Sequence, residues 1–426
     1  MRSIATVSGL ALLCASAAVA RAGDLPTKKA APVEPDYVRE CTIGKFKGIL
    51  IPGSETCFQP WGRVRSEVYY NERFARNQDV TRFRIRGWLG AEVLQPTEYG
   101  GLTGRIRFYV QQTTGATPGS TSSDNAYLDV AYFNFAGFTF GRFNASYFDF
   151  APGLSYAGGN SGRGSDLTGP SAPPLVAYTL PMGDFTGTLS LEDGTYRRSG
   201  TTSAEGQIQN GAVSGSRTAQ GGQTLPDLVG KLDWAQSWGS VSASVALHQV
   251  RSAEAGVDAA LGYAGQLGTK INLPTPIKGG FLSLVAAYAD GANSYTGTAT
   301  NAALDQSFRA GTLRNNFNTF DAYLVNGDLK TTKTWMVMGG VSVPLTEQVT
   351  QSVFASYADV NQYGTQQDGA IWQLGSRVTW VPVKKLEVGA EVVYARWADV
   401  PKASRPLVPG NSDDSWSGRI RLQRDF

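Results

Sequence analysis

The sequence predicts an all-β fold, a sixteen-stranded antiparallel transmembrane β-barrel, on three observations. Apolar and polar residues alternate with period two through sixteen segments, and short turns take turns with long polar loops between them. Beyond the N-terminus, no apolar stretch approaches the roughly 18 residues that a transmembrane helix needs, so any membrane crossing is made by strands. An even strand number with short connections at one end and long ones at the other is the layout of an outer-membrane barrel, with short periplasmic turns and long extracellular loops.

The chain has 426 residues and no helical periodicity or Pro/Ser linker dividing it, which favours one large domain. Fifty glycines, 11% aromatic residues and only 17% charged residues suit a large antiparallel β-protein. Met1-Arg2-Ser3 leads into an apolar run from Ile4 to Val19 and then Ala20-Arg21-Ala22, an A-x-A cleavage pattern, so residues 1–22 read as a secretory signal peptide. A buried N-terminal helix fits less well, because polar, proline-bearing sequence follows at once. Residues 23–40 are rich in Pro, Lys and Ala without periodicity and read as an extended periplasmic leader, a candidate for contact with the cell wall. The formal charge of +3 loses Arg2 and Arg21 with the signal peptide, and near-neutrality predicts no nucleic-acid partner.

Of three cysteines, Cys14 lies in the signal peptide and leaves Cys41 and Cys57 in an exported chain. An even pair in an oxidising compartment reads as a disulfide, here closing segment 41–60. The one histidine, His248, lies in a strand-like run far from either cysteine, so no metal site and no cofactor are expected.

The barrel is expected over 61–426. Its first segment, near 61–70, puts Arg63, Arg65 and Glu67 on one face. The second, near 80–94, is the clearest: Arg82, Arg84, Arg86, Trp88 and Glu92 alternate with Phe83, Ile85, Leu89, Ala91 and Val93, so one face is charged and wet while the other is apolar. After Pro96 to Gly101, the segment near 102–112 repeats the pattern with Arg105, Arg107 and Tyr109. Segments 126–135 and 137–143 flank Ala136-Gly137, and 176–181 and 185–192 flank Met182-Gly183-Asp184. Segments 227–235 and 239–250 flank Gln236 to Gly239, and 260–273 and 279–289 flank Pro274 to Gly279. Segments 332–343 and 349–358 flank Pro344-Leu345-Thr346, and 370–382 and 385–396 flank Pro382-Val383-Lys384. The last, 415–426, has Trp416, Ile420, Leu422 and Phe426 on one face and Arg419, Arg421, Gln423 and Asp425 on the other. Asn144 to Leu175, Asp193 to Pro226 and Gly291 to Thr331 are long polar loops. Outward aromatics near strand ends, namely Tyr70, Trp234, Trp335, Trp372, Trp380, Tyr394, Trp397 and Trp416, suit interfacial girdles or a subunit interface.

Several motifs then carry a resemblance. Tyr37-Val38-Arg39 followed by Cys41, the run Ile51-Pro-Gly-Ser-Glu-Thr-Cys57, the D-L-P-T-K-K-A-A-P-V leader, F-A-G-F-T-F-G-R at Phe135 to Arg142 and Leu422-Gln-Arg-Asp-Phe426 together resemble the alphaproteobacterial porin family. The resemblance implies a sixteen-stranded trimeric general porin in the outer membrane with its third loop folded into the pore. A terminal Phe426 closing such a strand also resembles the signal read by the barrel assembly machinery. Outer-membrane lipid and lipopolysaccharide are the implied surroundings.

Neighbouring strands bring Arg63, Arg65, Arg82, Arg84, Arg86, Arg105 and Arg107 together as one basic wall. Facing a lumen, such a wall needs opposing acids, and the loop after the fifth strand offers Asp149 and Asp166. If that loop bends inward, wall and acids set a transverse field across a narrow eyelet; if it points outward, it is surface without function. The expected function is a water-filled channel for passive diffusion of small hydrophilic solutes and ions, with weak anion preference or near neutrality. The alternatives are a substrate-specific sugar or anion channel and a non-conducting structural barrel or adhesin. Enzyme chemistry is not expected: a triad could draw only on His248, and Gly-Leu-Ser-Tyr and Gly-Asn-Ser-Gly near 153–162 lack a strand-to-helix context.

Overall fold

The computed structural model describes residues 39–71, 79–114, 122–156, 173–203, 208–209, 212–213, 220–298, 320–363, 368–398 and 414–426. Residues 40–426 form one unit, an eighteen-stranded sheet of which two short strands make an N-terminal hairpin and sixteen close into a barrel. The barrel strands are β1 (Cys57–Asn71), β2 (Thr81–Thr97), β3 (Gly100–Thr114), β4 (Ser122–Phe135), β5 (Phe138–Arg142), β6 (Pro174–Met182), β7 (Phe185–Glu192) and β8 (Asp227–Gln236). They continue as β9 (Gly239–Val250), β10 (Ala260–Asn272), β11 (Phe281–Asp290), β12 (Lys333–Pro344), β13 (Val349–Asn361), β14 (Gly369–Val383), β15 (Leu386–Ala398) and β16 (Asp414–Asp425). Each pairs antiparallel with its sequence neighbours, and β16 returns to pair with β1 from Ser417↔Asn71 to Asp425↔Arg63. Closure gives every barrel strand a paired neighbour on both sides, which a strand surrounded by lipid requires.

All sixteen expected segments are strands. The first begins earlier than expected, at Cys57, because the hairpin strand Phe46–Leu50 pairs with its start through Ile49↔Phe58 and Leu50↔Cys57. That hairpin, Glu40–Ile43 against Phe46–Leu50, is fastened to the barrel by the Cys41–Cys57 disulfide, with Cα atoms 5.9 Å apart. The leader 23–38 and the signal peptide 1–22 lie outside the described residues.

The period-two pattern resolves into an apolar outside and a polar inside. On β2, Phe83, Ile85 and Leu89 are exposed to the membrane, Leu89 at 68%, whereas Arg82 and Arg84 are buried in the lumen at 5% and 7%. On β16, Trp416, Ile420, Leu422 and Phe426 point outward, and Arg419 and Arg421 are buried inside. Tyr70, Trp335 and Trp380 are likewise exposed on the outer surface. Trp234 stacks on Phe185 at the periplasmic end, and Trp372, Tyr394 and Trp416 pack in sequence across β14 to β16. The side chain of Trp397 is outside the described set.

Short turns close one end, as at Ala136-Gly137, where φ is positive at both residues (49° and 85°), a twist that matches two-residue hairpins and favours glycine at the second position. The long loops at the other end do not all point away. The described part of the third loop, 143–156, runs inside the barrel, and the 3₁₀ turns Gly194–Arg197 and Asn293–Thr296 are folded in beside it. Strand Thr201–Ser203 pairs parallel with Ala322–Val325, which pairs in turn with Asp328–Thr331. The barrel's apolar core therefore sits between loops and wall: Leu154 packs on Met336, Met338, Phe354 and Ile371, and Phe148 on Val229, Ala246, Ala264 and Tyr295.

Candidate functional site

Antiparallel register turns the alternation on four adjacent strands into a grid of lumen residues. From the extracellular side downward, Arg419, Tyr69 and Arg82 form one level, and Arg421, Glu67, Arg84 and Thr113 the next. Gln423, Arg65, Arg86 and Gln111 follow, then Asp425, Arg63, Trp88 and Tyr109. Arg107 and then Glu92 with Arg105 complete the grid toward the periplasm. All seven wall arginines expected from the sequence lie on this surface.

The wall is a network of ion pairs. Glu67 is 1% exposed and is the hub of the upper half: Oε2 accepts from Arg84 Nε at 2.9 Å and Tyr69 Oη at 2.7 Å, and Oε1 accepts from Arg421, with Arg419 3.6 Å away. Lower down, Arg63 pairs with Asp425 at 2.6 Å, Arg107 with Asp129 at 2.6 Å and Arg105 with Glu92 at 3.5 Å. Aromatic faces hold the same guanidiniums in place. Those of Arg63, Arg65 and Arg86 lie 5.7, 4.8 and 5.0 Å from the Trp88 ring centroid. The Trp88 indole N–H also donates to Asp129. Arg84 and Arg419 flank Tyr69 in the same way, and Arg421 lies over Tyr156 at 3.8 Å. A cation on an aromatic face is stabilised by the ring quadrupole and loses freedom to swing.

Arg419 and Arg421 complete this wall, and strand-by-strand reading missed them there. Parity had already put them inward, and closure of an even-stranded barrel sets its last strand beside its first, so the signal was available.

The third loop forms the facing surface by lying on the inner wall from β7 to β16. The wall's side chains accept hydrogen bonds from its backbone: Tyr147 N donates to Glu192 Oε1 (2.9 Å), Phe150 N to Gln266 Oε1 (2.7 Å) and Tyr156 N to Glu391 Oε2 (2.7 Å). Ser244 Oγ donates to Phe148 O, Arg377 to Gly153 O and Arg419 to Tyr156 O. Glycines keep the wall flat beneath it, and a Cβ at Gly340 would lie 2.7 Å from Leu154 Cδ1. The Tyr156 hydroxyl meets Thr379 Oγ1 at 3.2 Å. Burial, with Glu387 nearby, pushes its pKa up to about 12.

Of the two loop acids singled out from sequence, Asp149 is buried and turned away from the arginine wall. Its carboxylate accepts from Arg197 Nη2 at 2.7 Å. Burial opposes the charge on Arg197, but Asp149, Tyr295 and Glu192 together raise its pKa above the ordinary arginine value. Asp166 lies outside the described residues. Nearby, His248 Nδ1 is 2.8 Å from Asp227 Oδ1, Tyr295 Oη donates to Asp227 Oδ2 at 2.6 Å, and Asp321 accepts from the backbone N–H groups of Ser199 and Asn293. All are buried, so His248 ties extracellular loops to the wall and has no access to solute. Among the described residues no cluster of His, Cys, Asp or Glu is arranged to hold a metal ion.

A family model described as Porin subfamily matches residues 24–419. The chain is 25% identical over 434 residues to porin Omp2b of Brucella suis, covering 99% of this chain and 100% of that one. Its fold resembles that of the outer membrane channel DcaP of Acinetobacter baumannii, with a TM-score of 0.63 and 17% identity over 89% of this chain and 99% of that chain. It also resembles OmpT of Vibrio cholerae in a trimer form, with a TM-score of 0.50 and 10% identity over 88% of this chain and 100% of that chain.

Proposed function

The chain belongs to the porin subfamily, an outer-membrane channel for passive diffusion of solutes rather than an enzyme, and from that premise we propose that its lumen favours anions. The observation that carries this reading is the balance of charge on the wall. Among the described residues of this wall, Arg63, Arg65, Arg82, Arg84, Arg86, Arg105, Arg107, Arg419 and Arg421 stand beside Glu67, Glu92, Asp129 and Asp425, nine cations against four anions and an excess of five. Asp149 is spent on Arg197 and supplies no opposing field. Salt screens each excess charge over about 8 Å at physiological ionic strength, a distance comparable to a narrow aperture, so a permeating ion still responds to the wall.

Reversal potential in a salt gradient across planar bilayers tests this reading. The unaltered channel is expected to give an anion-selective sign, and R82S/R84S/R86S to shift the potential toward cations. An unchanged potential in a folded, conducting triple variant would remove these residues from the permeation path.

The same reading extends to assembly. The apolar outer band is the surface for lipid and lipopolysaccharide, and Phe426 the residue read by the barrel assembly machinery. The trimer form of the Vibrio cholerae neighbour supports a homotrimer. The leader remains the candidate for cell-wall contact.

A further inference from the structure

Six wall guanidiniums pair with carboxylates: Arg63 with Asp425, Arg84, Arg419 and Arg421 with Glu67, Arg105 with Glu92, and Arg107 with Asp129. Arg65 and Arg86 differ. Among the described residues neither forms an ion pair, and each is held by a neutral amide. Arg65 Nε donates to Gln423 Oε1 at 2.8 Å, and Arg86 donates through Nε (2.9 Å) and Nη2 to Gln111 Oε1. The four residues occupy one level of the grid, with Arg65 directly opposite Arg86.

A glutamine carbonyl fixes the Nε edge of a guanidinium without cancelling its charge. An arginine has five N–H donors in a planar fork, so each partner leaves most of that fork to be satisfied from the lumen. The Trp88 ring backs both groups, and Tyr109 backs Arg86 at 4.2 Å, so one side of each fork is closed to water. Side chains directly opposite on paired strands start only about 5 Å apart at Cβ. Two such forks converge on one compact ligand rather than on the two ends of a long one.

We propose that Arg65 and Arg86 form an oxyanion-binding step within the pore that takes a compact, doubly charged phosphate-type anion, with Gln111 and Gln423 as positioning residues. The step rests on the anion-preferring reading of the lumen and adds a defined site to it. Tetrahedral phosphate presents enough oxygens for two bidentate contacts and matches the two uncompensated charges. Chloride has the charge of one partner and no geometry to satisfy two forks.

The test is chloride current through the full-length channel in planar bilayers, with inorganic phosphate added at pH 8, where it is mostly dianionic. Phosphate is expected to reduce chloride conductance with saturation. R65Q and R86Q should each raise the half-effect concentration about tenfold or more, the size of one charge-assisted contact. Q111E and Q423E, which keep both arginines and supply the missing carboxylate, should do the same. R424Q, on an exposed arginine bonded to Lys384 O outside the lumen, should leave it unchanged. Heat-modifiable mobility certifies each variant as folded. Phosphate block that survives R86Q and Q111E in folded, conducting channels overturns the site, as does an anion-selective channel indifferent to phosphate. A channel without anion preference whose phosphate block still follows Arg65 and Arg86 keeps the site and removes the broader reading.

Discussion

The carboxylate of Glu67 on β1 receives the guanidinium of Arg421 on β16 at 2.8 Å, across the strand pair that closes the barrel. The same carboxylate holds Arg84 on β2, so one acid joins the strands on both sides of it. Replacing one member of a buried pair leaves unmatched charge and costs about 3–5 kcal/mol. E67Q should lower the thermal midpoint of the folded barrel and, in channels that still conduct, strengthen anion preference. A midpoint and reversal potential equal to those of the unaltered protein would separate Glu67 from both roles.

Trp88 should govern selectivity without carrying charge. W88L removes the face on which Arg63, Arg65 and Arg86 lie and the donor to Asp129, each cation contact contributing about 0.5–1 kcal/mol. The number of lumen charges stays the same. We expect reduced anion preference and noisier open-channel current, measured on single channels. A variant with unaltered selectivity and noise would mean that the ion pairs alone position these arginines.

Reduction of the Cys41–Cys57 bond should destabilise the protein by about 3 kcal/mol in the chain-entropy account, because it frees a loop of 16 residues' separation. Conductance should not change, since the hairpin pairs with the start of β1 below the arginine levels. Unreduced, denatured protein should resist thiol labelling at both positions, and a shifted unfolding midpoint with unchanged current after reduction is the expected pair of results.

Alkaline pH should loosen the third loop through Tyr156. Its hydroxyl titrates near 12 in the folded protein against about 10 in the unfolded chain, so the folded state holds the proton more tightly. The stabilisation is fully present below pH 10 and falls by about 1.4 kcal/mol per pH unit between 10 and 12. Thermal midpoints recorded across that window should decline less steeply in Y156F than in the unaltered protein. Equal slopes would show that Tyr156 titrates alike in both states and is solvated in the fold.

Local pattern made the strands legible, and distance in sequence hid the rest. Arg82, Arg84 and Arg86 alternate with large apolar neighbours, so side-chain direction could be read within a few residues. The pairing of Asp149 with Arg197 joins residues 48 apart through two loops with no periodicity, and nothing in either segment announces it. Expecting Asp149 to oppose the wall followed from charge type alone. What decided its direction was burial beside Phe148 and a cation arriving from the next long loop. Sequence alone offers His248 no partner for catalysis or metal binding. Its partners, Asp227 and Asp321, come from a neighbouring strand and a distant loop.

The wall grips the third loop largely by its backbone: Glu192, Gln266 and Glu391 accept main-chain N–H groups, and Arg377 donates to a main-chain oxygen. A main-chain grip does not depend on which side chain is carried at the gripped position. Ala151 is exposed between these anchors. Substitution at Ala151 can therefore alter the size or charge of the aperture while the loop keeps its seat, much as a lens can be exchanged in a fixed mount.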